Sequence, residues 1–349
     1  MFGKKRIDCI NPRDIQKILI IAHSNIGDIS YDVTFLGPLR KHFPGATIFV
    51  LTSPRAKEFF DCYGGIGKVI IFDKHKRDRG FFGRIRFHNM LKREKFDLVI
   101  TLKDTFEHTF LNVPYTWNVQ RIFKRDFKGK KIHPVDIYMK FFRSQGIGTD
   151  EITFEYTLNE EIEFCEQFLQ QNGIAPHDTI VGILPLAAWS FKNWPIEKWN
   201  QLATILKQEC NIKTIAFGKS SADAYTKAVL ESICPDIISA IDSTTLKQAI
   251  ALITYCDVFI GPDSSLLHIA SCLKVETVGL YGPTPADYVY PYFHRHNIIG
   301  PKEIRGMVCF RDQHSCKCRE PFEPAACMKK ITVQEVFETV KSKVKDRVK

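Results

Sequence analysis

No apolar run in this chain approaches the roughly 18 residues that a membrane-spanning helix needs, so no such span is expected. The three-glycine dinucleotide fingerprint is missing, which argues against a nicotinamide or flavin site. Nowhere does Asp-x-Asp occur, the usual carboxylate pair for a nucleotide-bound metal. Neither a zinc finger, an RNP-type aromatic motif nor a KH loop is present, so nucleic acid is not an expected partner. The start, "MFGKKRIDCINPRD", carries basic residues with no apolar core behind them. It does not read as a secretory signal, and a cytoplasmic protein is expected. No internal repeat or low-complexity tract is evident.

What is there suits a soluble globular protein, with 44% hydrophobic and 25% charged residues. At 349 residues the chain exceeds one ordinary core, and two domains are expected. Of its 11 cysteines, seven are scattered singly, several in apolar stretches (Cys165, Cys256, Cys272), as reduced buried thiols are. The other four, Cys309, Cys316, Cys318 and Cys327, crowd together with six, one and eight residues between them. Those spacings do not match a paired zinc ribbon. A structural metal site (with His314 as a further ligand), reduced loop thiols and a redox-dependent disulfide all remain open.

The net charge of +10 is concentrated in the first half. Residues 74–95 carry nine Lys or Arg against two acids, and residues 121–131 carry six against one, both interleaved with Phe. A solvated helix face is one reading. The other is a surface for an anionic partner, a phosphorylated glycolipid or membrane headgroups.

Buried-strand patterns alternate with helical ones twice over. In the first half the strands are 17–22, 46–52, 68–72 and 96–102, with a helix presenting Ile29, Val33, Leu36 and Leu39 on one face. Residues 103–150 give no clear periodicity. The second half starts with an acidic helix at 159–173 and strands at 179–186, 213–218, 236–241, 257–261 and 276–282. Helices are expected at 196–210, 246–255 and 264–273. Strands alternating with helices make two α/β domains, each with a parallel sheet covered on both faces. Their boundaries fall at 1–155 and 156–330, with a C-terminal basic helix over 331–349. Two such domains imply a central cleft, and ligands sit outside the carboxyl ends of the strands.

Three turns at such ends could carry chemistry. "GPDSSLLH" (261–268) opens a helix, whose first amides and dipole favour an anion such as phosphate, with Ser264 and Ser265 as hydroxyl donors; alternatively Asp263 or Ser264 only caps the helix. "HSNIGD" (23–28) places Gly27 where close approach is allowed and Asp28 at a helix start, as a cap or as a general base. "LPLAAWSFKNWP" (184–195) brings Lys192 ahead of a helix, as a surface lysine or a cation for a diphosphate.

Together, "KILIIAHSNIGDISYDVTFLGPLRKHFPGATI", "LPLAAWSFKNWPIEKWNQLA" and "FIGPDSSLLHIASCLKVETVGLYGPTPA" resemble glycosyltransferase family 9, the ADP-heptose:lipopolysaccharide heptosyltransferases, over most of residues 17–330. The resemblance implies a GT-B fold, with the acceptor on the first Rossmann-like domain and the nucleotide sugar mainly on the second. Asp28 would be the base, with Gly27 and Asn25 on the acceptor side. Lys192 would stabilise the departing diphosphate. Asp263, Ser264, Ser265, Leu266 and His268 would bind the donor, together with Gly218 and Asp223 near its ribose. The implied partners are an ADP-heptose donor and an anionic glycolipid or saccharide acceptor, with peripheral contact to the inner face of the cytoplasmic membrane and no cofactor. The chain departs from the family at His23-Ser24-Asn25-Ile26, where an Arg is usual, and at Ser265, which replaces a glycine. Catalysis without a metal is expected, because lysine and a helix end can supply the positive charge a leaving diphosphate needs. Another GT-B transferase using UDP- or GDP-sugars and a nucleotide-sugar epimerase are the alternatives.

Overall fold

The structure, a computed structural model, describes residues 10–103, 105, 111–121, 130–149, 152, 154–221, 223–301 and 325–345. Internal contacts divide the chain into two units, Met1–Thr157 and Leu158–Lys349, each described by itself.

In the first unit, strands β1 (Lys17–Ile21), β2 (Thr47–Thr52), β3 (Lys68–Ile71), β4 (Leu98–Thr101) and β5 (Tyr115–Asn118) form one sheet in the order β3-β2-β1-β4-β5. Every pairing is parallel. Ile18 to Ile21 and Leu98 to Ile100 are fully buried, as continuous apolar strands in a doubly covered parallel sheet must be. The helices are α1 (Ile26–Asp32), α2 (Leu36–His42), α3 (Lys57–Asp61), α4 (Gly80–Arg93) and α5 (Pro134–Ser144). The chain lays down β1, β2 and β3 to one side, then returns to place β4 and β5 on the other. The direction of winding therefore switches between β1 and β4. At the amino end of this pair, Asp97 accepts hydrogen bonds from the backbone N–H of Gln16 (2.9 Å) and Lys17 (2.8 Å).

The single helix expected through Ile29 and Leu39 is in fact two, α1 and α2, broken at Val33-Thr34-Phe35. Thr34 Oγ1 donates to the Tyr31 carbonyl at 2.7 Å, the local side-chain bond that competes with helix continuation. Within the unreadable 103–150 stretch the structure places β5 and α5. His133 caps α5 by accepting from Val135 N–H at 3.2 Å, and Pro134 occupies its first turn. Phe142 of α5 stacks on Phe35, with ring centroids 4.3 Å apart.

The second unit repeats the plan. Strands β6 (Ile180–Ile183), β7 (Lys213–Ala216), β8 (Ile237–Ser239), β9 (Val258–Pro262), β10 (Glu276–Leu280) and β11 (Ile298–Ile299) form a parallel sheet in the order β11-β10-β9-β6-β7-β8. Here the switch lies between β6 and β9. Asp257 accepts from Ile180 N–H at 2.8 Å, the counterpart of Asp97 at the other switch. The helices are α6 (Ile162–Gln171), α7 (Ile196–Cys210), α8 (Ala224–Glu231), α9 (Leu246–Ile253), α10 (Ser265–Cys272), α11 (Ala326–Lys330) and α12 (Val333–Lys345). The helix expected over 331–349 is α12. Val336, Phe337 and Val340 bury its apolar face in the core of this unit. Buried Trp194 secures the approach to it by donating from Nε1 to the Ile331 carbonyl at 3.1 Å.

Cys309, Cys316, Cys318 and His314 lie outside the described residues. Cys327 is buried beside Met328, and a Cβ built on Gly282 would meet its Sγ at 2.8 Å. Its thiol is thus close-packed in the core. Among the described residues no group of three or more His, Cys, Asp or Glu side chains could hold a metal ion.

Candidate functional site

The second unit gathers its sequence-singled residues at the switch between β6 and β9. Lys192 lies on the segment leaving β6, in a single 3-10 turn, Ser190–Lys192, just ahead of α7. Asn193 braces that segment by accepting from Ala187 N–H at 2.7 Å. Asp263 follows β9 directly. The Lys192 ammonium donates to Asp263 Oδ2 at 2.7 Å and to the Asp263 carbonyl at 2.9 Å, so one salt bridge spans the switch. His268, one turn into α10, places Nε2 2.9 Å from Asp263 Oδ1. Side-chain exposures are 21% for Lys192, 11% for Asp263 and 4% for His268. Burial alone would raise the Asp263 pKa. The His268 hydrogen bond and the Lys192 charge outweigh it and hold the carboxyl well below the usual carboxylate range.

Asp263 does not cap α10. Ser264 takes the N-cap position in extended backbone and makes no side-chain capping bond. The Ser264 and Ser265 side chains are part-exposed there. The first amides of a helix, here those of Ser265, Leu266 and Leu267, have no intrahelical acceptor.

Gly218 follows β7 with φ +150°, a backbone conformation that side-chain-bearing residues rarely adopt. Leu184 ties it to the switch. Cβ atoms built on Gly218 and Gly261 would lie 3.9 Å and 3.0 Å from that side chain, so both strand ends stay close to it. Asp223 is the N-cap of α8 and accepts from Thr226 N–H and Thr226 Oγ1, both at 2.9 Å, and from Ser221 Oγ. Those bonds, Ser221's foremost, lower its pKa to about 2. Its carboxylate thus already has a structural task.

In the first unit, Asn25 is the N-cap residue of α1, and Asp28 stands exposed in the first turn. Asn25 Nδ2 donates to Asp28 Oδ2 at 3.3 Å. A Cβ built on Gly27 would meet nothing within 4 Å, so the space before this turn is open. Lys103, at the end of β4, donates to Ser24 Oγ at 3.4 Å and brings a cation to the same switch point.

Sequence reasoning missed Asp32. It is almost fully buried and accepts from His23 N–H (2.7 Å) and Tyr138 Oη (3.0 Å), with His23 Nδ1 2.8 Å away. One signal was available: Asp32 follows Ile29 by three residues, on the apolar stripe of the helix.

Two Rossmann-like units, each with polar side chains collected where its winding reverses, define a two-domain α/β enzyme of the GT-B class. The chain belongs to glycosyltransferase family 9 (heptosyltransferase), whose model matches residues 84–319. It is a glycosyltransferase, which removes the epimerase alternative. It is 24% identical over 335 residues to lipooligosaccharide heptosyltransferase 2 of Campylobacter jejuni, covering 95% of this chain and 99% of that one. The fold is similar to that of a family 9 glycosyltransferase from Veillonella parvula (TM-score 0.80, 19% identity, 95% of this chain and 98% of that one). It is also similar to an E. coli heptosyltransferase solved with ADP (TM-score 0.66, 16% identity, 94% of this chain and 100% of that one).

Proposed function

We propose that the protein transfers a heptose from ADP-heptose to an inner-core sugar of lipopolysaccharide, or to a related saccharide, with inversion and without a metal ion. The observation that carries this reading is the Lys192–Asp263 salt bridge across the β6/β9 switch, at the start of α10. An ammonium has three donors, and Asp263 engages two of them, leaving one for a diphosphate oxygen. The first amides of α10 and the hydroxyls of Ser264 and Ser265 would complete the phosphate cradle. Lysine and helix end thus supply the positive charge that a leaving diphosphate requires. His268 acts behind them, fixing the carboxylate that fixes the lysine. Gly218 would let the nucleotide approach the end of β7. Asp223 would receive a ribose hydroxyl beside or in place of Ser221.

Asp28 is the group we assign to the acceptor. Its carboxylate takes the proton of the acceptor hydroxyl, whose oxygen forms the new bond to the anomeric carbon. The bond from that carbon to the diphosphate breaks on the opposite face, so the configuration inverts. The names of the relatives favour the substrates chosen. The Campylobacter protein is a lipooligosaccharide heptosyltransferase, and an E. coli heptosyltransferase was solved with ADP-2-deoxy-2-fluoro heptose.

An acceptor of this kind is anionic and anchored in a membrane. Among the described residues no helix is long and apolar enough to cross one. Helix α4 instead suits peripheral contact with the inner face of the cytoplasmic membrane. Phe81, Phe82 and Ile85 are 74%, 83% and 41% exposed, among Arg84, Arg86, Lys92 and Arg93.

Calorimetric titration of ADP, UDP, GDP and CMP into the metal-free protein tests the donor assignment. We expect selective ADP binding, weakened roughly 10- to 100-fold in Lys192→Ala, the range for one charge-assisted hydrogen bond. Selective UDP or GDP binding would overturn the sugar nucleotide while keeping the mechanism.

A further inference from the structure

The reaction assigned above does not use His23 and Asp32, a titratable pair held together in the first unit. Asp32 ends α1, and Asp28 lies one turn earlier. Three groups converge on the Asp32 carboxylate: the His23 backbone N–H on Oδ2, and His23 Nδ1 and Tyr138 Oη on Oδ1. Tyr138 is buried, and burial together with the Asp32 charge raises its pKa well above the usual tyrosine value, so it stays a donor. The carboxylate thus receives protons from every partner, and Nδ1 is the protonated nitrogen of the neutral imidazole. Nε2 is left with its lone pair, and no partner for it is found among the described residues. The His23 side chain is 23% exposed. It lies at the carboxyl end of β1, on the switch point, and its backbone is pinned there by Thr52 Oγ1, which donates to the His23 carbonyl at 2.7 Å. A base whose one nitrogen is oriented by a buried carboxylate while the other stays open is an arrangement used for proton transfer.

We propose that His23 is the proton-relay residue of the reaction assigned above, with Asp32 as its positioning residue. The acceptor O–H bond breaks as the new bond to the anomeric carbon forms, and the electron pair of the broken glycosidic bond leaves with the diphosphate. The proton goes to Asp28, then to Nε2 of neutral His23, and the imidazolium returns it to solvent. The charged and titratable groups facing His23 suit this task. Burial lowers its pKa, but Asp32 and Asp28 from α1 outweigh burial and Lys103 from the end of β4, so the net shift is upward. A relay needs a pKa near the working pH.

The test measures heptose transfer from ADP-heptose to heptose-deficient lipopolysaccharide across pH, beside an NMR titration of the His23 ring in the free protein. Transfer should fall on the acid side as His23 takes up its proton. His23→Gln should lose that acid limb and about 10²-fold in kcat/KM. Asp32→Asn should move both the limb and the NMR titration to lower pH, because the carboxylate that raises the pKa is gone. Free imidazole should restore part of the rate to His23→Ala. A pair that merely braced the turn would lower the rate equally at every pH, leave the limb in place and give no imidazole rescue, which would overturn the relay alone. Absence of transfer by the unaltered protein would overturn the assigned reaction and the relay together.

Discussion

At the scale of single residues, the site of the second unit depends on how Asp263 is kept ionised while nearly buried. Its depressed pKa means that the bonds to Lys192 and His268 stabilise the fold fully above the unfolded-state value of about 3.9. That contribution is lost as pH falls through the folded pKa. Asp263→Asn should therefore cost roughly 3 kcal/mol at pH 7, the range for removing one partner of a buried pair. Urea denaturation should show the gap between the two proteins narrowing as pH drops below about 4. A gap independent of pH would mean the pairing contributes nothing through charge. The sign reverses for His23. Its raised pKa gives stability that is complete below about 6.5 and fades as pH rises through the folded value. Lys192, Asp263 and His268 could each be singled out from sequence because each flanks a strand end or opens a helix. Their mutual contact could not, since 71 residues separate Lys192 from Asp263 and only the return of β9 beside β6 joins them. Asp32 escaped for the opposite reason: a carboxylate reads as surface until its three partners, one of them 106 residues away, are seen.

At the scale of elements, the buried strands were legible because parallel strands covered on both faces read as unbroken apolar runs. The α1–α2 break was not legible. Ile29, Val33, Leu36 and Leu39 keep helical spacing straight through it, and the Thr34 side-chain bond that favours the break is invisible in a periodicity. The unread segment 103–150 contained one usable signal, Pro134 at the start of α5. Helix α4 shows what composition conveys and what it hides. Its charge excess was plain, but only the structure separates the inward face, Phe87 and Leu91, from the outward Phe81, Phe82 and Ile85. The helix start is held firmly: a Cβ built on Gly83 would lie 2.7 Å from the Asp78 backbone, and buried Asp78 accepts from Arg77 Nε at 3.1 Å. Replacing both Phe81 and Phe82 by Ser should weaken sedimentation with anionic vesicles about tenfold or more, given the apolar area each ring can bury. Raised salt should weaken it further by screening the arginines and lysines. Vesicle binding indifferent to both changes would remove α4 from the membrane contact.

At the scale of the whole molecule, one plan is used twice. Each unit winds a parallel sheet outward, reverses, and pins the reversal at its amino end with an aspartate, Asp97 in one and Asp257 in the other. At the carboxyl end each reversal exposes a different chemistry: Asp28 with His23 and Lys103 in the first unit, Lys192 with Asp263 and the start of α10 in the second. In the function proposed above, the first set deprotonates the acceptor hydroxyl and the second stabilises the departing diphosphate, the two halves of glycosyl transfer. The family resemblance was legible because the residues at these turns keep their order along the chain, whereas substrate choice is set by contacts that no short motif spells out. The most direct measurement incubates the protein with ADP-heptose and heptose-deficient lipopolysaccharide in the presence of a chelator, with mass spectrometry of the lipid product. The account predicts a gain of one heptose residue that survives chelation and is lost, or nearly so, in Asp28→Ala. No gain, or a gain that persists undiminished in Asp28→Ala, would contradict it.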